Sequence, residues 1–357
     1  MRKIKVFICC ILCICMALMV TACGNVESNK EGSTEKASNS GKITLGISAY
    51  SSWYVWFICE KEGIFKKYDL DVELVWFANY SDSVQAFEGD KLDYVSLALA
   101  DVLSPYAQGK LDKIVLINDY SNGADGVVAS DGIESIKDLK GKTVATEYGT
   151  IEHFLLAELL KRNDMTEEDI QFANMTISDS GTAFLTGSVD AASLWEPALS
   201  QAMEKENSNR LYSSEEDPGM IPSVLIANDK YLESRGDSGD VEKLMNAWFD
   251  GLEFYAQNPE QAIKDMAEGA EISEEEMKVT MSGSYLYTLQ ENIDAMTKES
   301  ESYSYIPYTS EVLSQFLLDY GFIEEKPENY EDLFDVSYLK KIAEERESKP
   351  APDTSIQ

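Results

Sequence analysis

The chain has 357 residues and is strongly acidic, with 64 aspartates and glutamates against 30 lysines and arginines and a formal net charge of −34. A charge of this sign opposes binding to nucleic acids and electrostatic adhesion to anionic lipid. The acidic residues are dispersed along the chain, which favours a solvated surface as their main role. The length is sufficient for two packed lobes of ordinary size.

The first 22 residues have the pattern of a bacterial lipoprotein signal peptide. A positively charged start precedes an apolar run from Val6 to Val20, which at about 15 residues is shorter than the roughly 20 that a spanning helix needs. The run ends in Val20-Thr21-Ala22-Cys23-Gly24, which resembles a lipobox. We therefore predict that Cys23 carries a diacylglycerol and tethers the protein to the membrane. The alternative is an ordinary secretory signal with an incidental cysteine.

The residues that follow the proposed anchor are polar and lack a hydrophobic period. This composition predicts a flexible tether over residues 23–41. Of the six cysteines, only Cys59 lies beyond the anchor, so a disulfide framework is not expected. We interpret Cys59 as a small buried hydrophobic residue.

Short apolar runs alternate with helical patterns from residue 42 onward. This alternation is typical of a parallel sheet with helices on both faces. The predicted strands are Ile43–Ser48, Asp71–Phe77, Tyr94–Leu97 and Lys113–Asn118, and the predicted helices are Trp53–Lys67, Ser81–Glu88 and Asp101–Gln108.

A second series of the same kind begins near Gly126, and the chain beyond Asp229 is mainly helical. The predicted strands of this series are Val127–Ala129, Thr143–Thr146, Gln171–Thr176 and Ala191–Leu194, with a long helix at Ile151–Arg162. A further predicted strand, Ser223–Ala227, returns the chain to the first lobe. We therefore predict lobe one from residues 42–123 and 228–347, lobe two from residues 124–227, and a polar tail over 348–357. Two crossing segments would act as a hinge.

The loop after the first strand carries aromatic rings and hydroxyl groups. In open α/β sheets ligands bind at the carboxyl ends of the strands, so we predict ligand contacts from Tyr50, Ser51 and Trp53. The stretch Tyr148-Gly149-Thr150 lies where a strand gives way to a helix. Unpaired helix N–H groups and the threonine hydroxyl are suited there to a polar ligand group. An ordinary N-terminal cap is the alternative.

Acidic residues outnumber arginines in the predicted cleft loops. Asp82, Asp101, Asp125 and Glu147 fall on loops or helix starts near strand ends, where a helix cap or a solvated charge is the alternative role for each one alone. None of the four arginines after the tether lies in a predicted cleft loop. A sulfonate or nitrate site would more often contain a guanidinium fork. Aromatic rings with carboxylates suit an ammonium, amidinium or aminopyrimidine better. This contrast favours a cationic, zwitterionic or amine-bearing ligand.

The tripeptide Trp195-Glu196-Pro197 follows the predicted strand Ala191–Leu194. Glu196 complements the dipole of the helix that begins there, which is a sufficient structural role. Trp195 lies at the carboxyl end of the strand and faces the presumed cleft.

The order of motifs from residue 42 to about residue 199 resembles that of the nitrate/sulfonate/taurine-type solute-binding proteins of ABC importers, which share their fold with thiamine-precursor-binding proteins. The motifs are the first-strand loop, GIFKKYDLDVELVWF, FEGDKLDYVSLALAD, IESIKDLKGKTVATEYGT and VDAASLWEPAL. The segments ELVWFANYSDSVQAFEGDKLD and IVLINDYSNGADGVVA are similar to a subgroup found beside urea-carboxylase-type enzymes. Ala49 and Phe57 stand where acidic residues are expected in that subgroup.

This resemblance implies a two-lobed α/β fold of the periplasmic-binding-protein type II, with the ligand between the lobes and Trp195 and Glu196 at the site. It also implies an extracytoplasmic lipoprotein that delivers a small amine-bearing, cationic, zwitterionic or sulfonate-type solute to a permease and its ATPase. We expect a monomer without cofactor or metal. The alternative is a thiamine-precursor (aminopyrimidine) binding protein or a related pyrimidine-synthesising enzyme.

The sequence shows no catalytic signature. It contains no Gly-x-Ser-x-Gly elbow, no phosphate-binding loop and no paired-histidine motif, and His153 is the only histidine. We therefore predict a binding protein rather than an enzyme. A structural or adhesive surface lipoprotein is a third possibility, but it would not need two α/β lobes with aromatic loops.

Overall fold

A computed structural model of the chain describes residues 41–235 and 238–348. The predicted signal peptide, the proposed lipid attachment at Cys23, almost all of the predicted tether and almost all of the tail lie outside these residues. Within the described part, none of the helices has the length and apolarity to cross a membrane.

Eleven strands and fourteen helices make up the described part of the fold. The strands are β1 (Ile43–Ser48), β2 (Val72–Phe77), β3 (Tyr94–Ala98), β4 (Lys113–Ser121), β5 (Asp125–Ala129), β6 (Thr143–Thr146), β7 (Gln171–Asn174), β8 (Ala191–Trp195), β9 (Asn209–Ser213), β10 (Pro222–Ala227) and β11 (Ser284–Leu286). The helices are α1 (Val55–Lys61), α2 (Ile64–Lys67), α3 (Tyr80–Glu88), α4 (Leu99–Ala107), α5 (Ile151–Arg162), α6 (Ile177–Leu185), α7 (Ala198–Met203), α8 (Asp229–Arg235), α9 (Asp240–Gln257), α10 (Pro259–Ala270), α11 (Glu274–Ser282), α12 (Leu289–Thr297), α13 (Ile306–Asp319) and α14 (Ser337–Ser348).

The strands form two mixed sheets rather than the parallel sheets that the alternation predicts. The first sheet has the order β11-β4-β10-β3-β1-β2 and the second the order β7-β6-β8-β5-β9. In the first sheet β10 runs antiparallel to both of its neighbours, and in the second β5 does the same. The predicted parallel pairing is found for β1 with β2 and β3 and for β6 with β7 and β8. It is wrong for the pairs made by β10, β11, β5 and β9, which are antiparallel. β10 is antiparallel because the chain returns to the first sheet from the second.

Strand β1 is buried along nearly its whole length because helices cover the first sheet on both faces. On one side α1 packs against α9 and α10. The crossing of α1 and α9 is close, since a Cβ on Gly251 would lie 2.8 Å from the Cys59 Sγ. Cys59 is fully buried and donates to the Ala247 carbonyl at 3.2 Å. Its interpretation as a buried hydrophobic residue is confirmed.

Two segments connect the sheets, one between β4 and β5 and the other between β9 and β10. They are bonded to each other: the Ser121 and Ser214 Oγ atoms are 2.6 Å apart, and the Gly123 N–H donates to the Ser214 Oγ at 2.7 Å. The Gly283 carbonyl before β11 accepts N–H bonds from the first segment. The first of these segments lies at the predicted lobe boundary after residue 123, whereas the second lies before β10 and not at residue 227. The hinge itself stays a prediction.

Candidate functional site

The candidate site lies where the two sheets meet, at the carboxyl ends of parallel strands. β1 ends just before Tyr50, and β8 ends at Trp195. The two antiparallel strands begin at the same edge, so that Ser223 of β10 pairs with Ala98 and Asp125 of β5 pairs with Trp195. Residues from both sheets are thereby brought to one cavity.

Aromatic rings from both sheets wall this cavity. The Tyr50 and Trp53 ring centroids are 4.9 Å apart, and Trp53 stacks on Tyr80 at 5.8 Å. Tyr80 contacts Trp195 edge-on at 5.3 Å. The full lining consists of Tyr50, Trp53, Tyr80, Ala98, Asp125, Ile151, Trp195, Ile221, Pro222 and Ser223.

The cavity is closed in this structure. Its atom-free space, including the mouth, is about 300 Å³, of which the centre of a water molecule can occupy about 20 Å³. That is room for about one water molecule. Contacts between the two sides hold it shut: the Ser81 hydroxyl donates to Glu147, and Gln201 donates to Glu276 at 2.6 Å. A solute can therefore enter only when the rings and these contacts separate.

Ser223 connects the aromatic wall to a buried carboxyl group. The Trp53 indole N–H donates to the Ser223 Oγ at 3.1 Å, and the Ser223 hydroxyl donates in turn to Asp119. Asp119 has no exposed surface, and its Oδ2 atom accepts no hydrogen bond of normal geometry from the described residues. Burial raises the pKa of Asp119 to about 7, because a carboxylate loses its hydration there.

Asp125 and Glu152 form a second group of buried carboxyls. Both side chains are fully buried, and they are close enough to share a hydrogen bond and a proton. Neither Asp125 oxygen accepts a hydrogen bond of normal geometry within the described residues, and the same holds for the Glu152 Oε1 atom. Burial raises the pKa of Asp125, and burial with the charge of Asp125 raises the pKa of Glu152 well above its usual range.

Asp101 is placed behind the aromatic wall. It accepts the Tyr80 hydroxyl at 2.5 Å, while the same tyrosine oxygen accepts the Ala98 N–H at 3.0 Å. Burial raises the pKa of Asp101 to about 7. Asp101 does not line the cavity and fixes the position of Tyr80.

Three other predicted site residues have hydrogen-bond partners outside the cavity: Ser51, Asp82 and Glu196. The buried Ser51 Oγ lies 2.5 Å from the Ser284 Oγ. Asp82 is exposed on α3 and accepts from Asn79. Glu196 is buried and accepts a hydrogen bond from the Ser200 N–H at 3.1 Å. This contact with the first turn of α7 fits the predicted role of Glu196 in complementing the helix dipole. The structure brings none of these three side chains into the cavity lining.

The stretch Tyr148-Gly149-Thr150 also lies apart from the cavity lining. The Tyr148 ring is half-exposed and contacts His153 at 4.7 Å and Phe322 at 5.2 Å. Thr150 is the N-terminal cap residue of α5, but its hydroxyl donates to the Glu147 carbonyl at 2.8 Å. His153 uses both ring nitrogens within the chain, with Glu167 Oε1 at 2.5 Å from one and the Gly149 N–H donating to the other.

Sequence reasoning missed Asp119, Glu152 and Tyr80. Asp119 lies in β4, but the predicted strand ends at Asn118, one residue before it. The hydrogen bond between Asp119 and Ser223 joins residues that are 104 positions apart. Glu152 lies in the first turn of α5, where an acid suits the helix dipole. Tyr80 is the first residue of α3 and carries no motif. A predicted β4 that extended beyond Asn118 would have included Asp119.

The donor set does not suit a metal ion. Among residues 41–235 and 238–348, no group of three or more His, Cys, Asp or Glu side chains is arranged to hold a metal.

A family model described as NMT1/THI5 like matches residues 54–262. The chain belongs to the NMT1/THI5-like family.

Three curated relatives are similar in sequence. "Putative binding protein" of Brucella abortus is 28% identical over 261 residues, which are 72% of this chain and 75% of that protein. "Putative aliphatic sulfonates-binding protein" of Bacillus subtilis is 26% identical over 184 residues, 51% of this chain and 54% of the relative. "Arginine-binding extracellular protein ArtP" of Bacillus subtilis is 26% identical over 260 residues, 66% and 95% of the two chains.

The fold is similar to that of many solved structures, including SsuA and DszB. The periplasmic aliphatic sulphonate binding protein SsuA from Escherichia coli superposes with a TM-score of 0.67 at 17% identity, covering 82% of this chain and 95% of that one. The desulfurization enzyme DszB superposes with a TM-score of 0.62 at 12% identity, covering 85% and 99%. The likeness to SsuA bears out the predicted two-lobed, periplasmic-binding-protein-like fold.

Proposed function

We propose that this chain is the solute-binding component of an ABC importer, which captures a small amine-bearing, cationic, zwitterionic or sulfonate-type solute between its two sheets. The observation that carries the proposal is the closed cavity walled by rings from both sides, Trp53 and Tyr80 against Trp195. A closed apolar cavity with a few polar groups is the usual form of a small-molecule site. The binding proteins among the relatives support this reading.

Capture and release follow from the closed geometry. A solute that contacts both sides binds the closed form better than the open form, and only this difference in affinity can drive closure. The closed form would then dock on a membrane permease whose partner ATPase powers import. We further propose that the lipid on Cys23 holds the protein as a monomer at the extracytoplasmic face of the membrane.

The second candidate function is that of a thiamine-precursor binding protein or a pyrimidine-synthesising enzyme. The observation that favours an enzymatic function is that the enzyme DszB has a similar fold. Among the residues that the structure describes, however, no cysteine or histidine lines the cavity, and His153 is bonded within the chain. Native mass spectrometry after incubation with an aminopyrimidine separates the two: an unchanged bound compound supports carriage, and a product of altered mass supports catalysis.

The test uses a thermal-shift panel of taurine, alkanesulfonates, nitrate, guanidine and aminopyrimidines, because a ligand of the native state raises its stability. For each compound that raises Tm, we expect Trp53→Leu and Trp195→Leu to weaken binding at least tenfold, since each variant removes a ring from the wall. Leucine keeps the sites apolar and limits the loss of folding stability.

Trp76→Leu is the matched control. Trp76 is 41% exposed on β2 and lies outside the cavity lining, so its replacement should change the dissociation constant less than twofold. Circular dichroism checks that all three variants fold. Equal affinity of the two cavity variants and the wild type would overturn the proposed site.

A further inference from the structure

The cavity between the sheets contains an excess of hydrogen-bond acceptors over donors. Asp125 lines it, is fully buried, and has two oxygens without a hydrogen bond of normal geometry within the described residues. The Asp119 Oδ2 and Glu152 Oε1 atoms beside it are buried in the same condition. Buried polar atoms are normally hydrogen-bonded. The donors that the described chain places near these carboxyls are neutral hydroxyls, such as those of Tyr50, Ser121 and Ser284, so none of them balances a carboxylate charge.

The positive charge that would balance these carboxyls is also missing from the lining, which contains no lysine, arginine or histidine within the described residues. Arg210 lies on the far side of β5, where its positive charge favours the ionised form of Glu196. Its guanidinium donates to the Gly123 carbonyl at 3.4 Å. The rings of Tyr50, Trp53 and Trp195 line the same cavity as Asp125, and the faces of aromatic rings attract cations.

We infer that the solute carries a protonated nitrogen group with several N–H donors, an ammonium or amidinium, which binds Asp125 between Asp119 and Glu152 while its apolar part lies against Trp53 and Trp195. This inference rests on the proposed function and narrows its solute class from the wider range to organic cations.

A sulfonate is disfavoured by the same geometry. Its oxygens are acceptors only, and they would face carboxyl groups that must all be protonated to avoid repulsion. The Trp53 N–H, a donor in the wall, is already bonded to Ser223. A cation gains charge-assisted hydrogen bonds from the same oxygens, which are about twice as strong as neutral ones.

The charge of the solute determines the direction of its pH dependence. Asp119, Asp125 and Glu152 interact electrostatically with one another and with three further titratable groups, Tyr50, Glu196 and Tyr287. A cation binds the ionised carboxyls, so its affinity should rise as pH rises through the Asp119 pKa of about 7. An anion should bind more tightly as pH falls.

The experiment titrates the folded protein with matched probes that differ in charge: benzamidine, benzamide and benzenesulfonate, and n-butylamine against butane-1-sulfonate. Isothermal titration calorimetry at pH 5.5 and 7.5 gives the affinities. We expect a cationic probe to bind at least tenfold more tightly than its neutral or anionic partner, and at least tenfold more tightly at pH 7.5 than at pH 5.5.

Asp125→Asn should weaken binding of the cation at least tenfold. The variant should fold, because removing a buried carboxyl removes a group that is costly to ionise there. Asp112→Asn is the matched control: Asp112 is 5% exposed, accepts the Asp229 N–H at 2.8 Å, and does not line the cavity. It should bind the cation as the wild type does.

Two outcomes overturn the inference: tighter binding of a sulfonate than of its paired cation, or unchanged cation affinity in Asp125→Asn. If a sulfonate binds and Trp195→Leu abolishes that binding, the proposed function stands and the cation inference alone fails. If no cationic probe binds while another solute of the wider panel does, the inference fails in the same way. If no compound of either panel binds, both fail.

Discussion

At the scale of single residues, the sequence allowed the aromatic side of the site to be predicted and left most of its acidic side hidden. Tyr50, Trp53 and Trp195 follow strands that the hydrophobic pattern reveals, so their place at a sheet edge follows from local information. Asp119 and Glu152 are different because they meet the cavity through pairings between distant segments. No local pattern contains that information.

Asp119 makes folding stability depend on pH. Its pKa is 3.8 in the unfolded chain and about 7 in the folded one, so the folded state binds the proton more tightly. The contribution of Asp119 to stability is therefore fully present below about pH 4 and is lost as pH rises through about 7. Between pH 5 and pH 8 this one group accounts for up to about 3 kcal/mol, at about 1.4 kcal/mol per unit of pKa.

Urea unfolding of the solute-free protein at pH 5 and pH 8 measures this effect. Asp119→Asn should lose less stability between the two pH values than the wild type does, because asparagine keeps an oxygen for the Ser223 hydroxyl and cannot ionise. A pH dependence that is the same in both proteins would show that Asp119 is not the group responsible.

At the scale of elements, the sequence predicted most of the strands and helices and their parallel pairs, but neither the antiparallel strands nor the shortest members. The bounds of β1, β6 and α5 agree with the predicted ranges, because each has a clear period and clear end signals. The three-residue β11 is too short to produce a period, and β9, Asn209–Ser213, is too polar for its pattern to stand out. The antiparallel direction of β10 depends on the path of the whole second lobe.

Gly283 directly precedes β11 and packs closely against the segment that connects β4 to β5. A Cβ at this position would lie 2.7 Å from the Ala124 N atom and 2.8 Å from its Cα atom. Because backbone atoms cannot move aside cheaply, Gly283→Ala should lower the free energy of unfolding by about 1–3 kcal/mol.

Gly181→Ala provides the comparison. Its Cβ would lie 3.4 Å from the Ala198 Cβ, an ordinary contact, and the residue is inside α6. This variant should be neutral or more stable by up to about 1 kcal/mol, since alanine is the better helix former. Equal urea midpoints for the two variants would contradict the close approach of β11 to the crossing segment.

At the scale of the whole molecule, contacts between the two sides keep the cavity between the sheets closed. Helix α13 packs against α4 on one side, and Phe316 within it contacts Phe154 of α5 on the other at 5.2 Å. Together with the Ser81–Glu147 bond, this contact spans the two sides. Ligand exchange therefore requires several interactions to separate together, with the crossing segments as the part of the chain that remains connected.

A crystal structure of the protein with the compound that raises Tm most would test the central claim directly. We predict electron density for that compound between Trp53 and Trp195, with a nitrogen group within 3.2 Å of an Asp125 oxygen, about the upper limit for a hydrogen bond. Density for the compound elsewhere on the protein, with only water between the two tryptophans, would contradict the account.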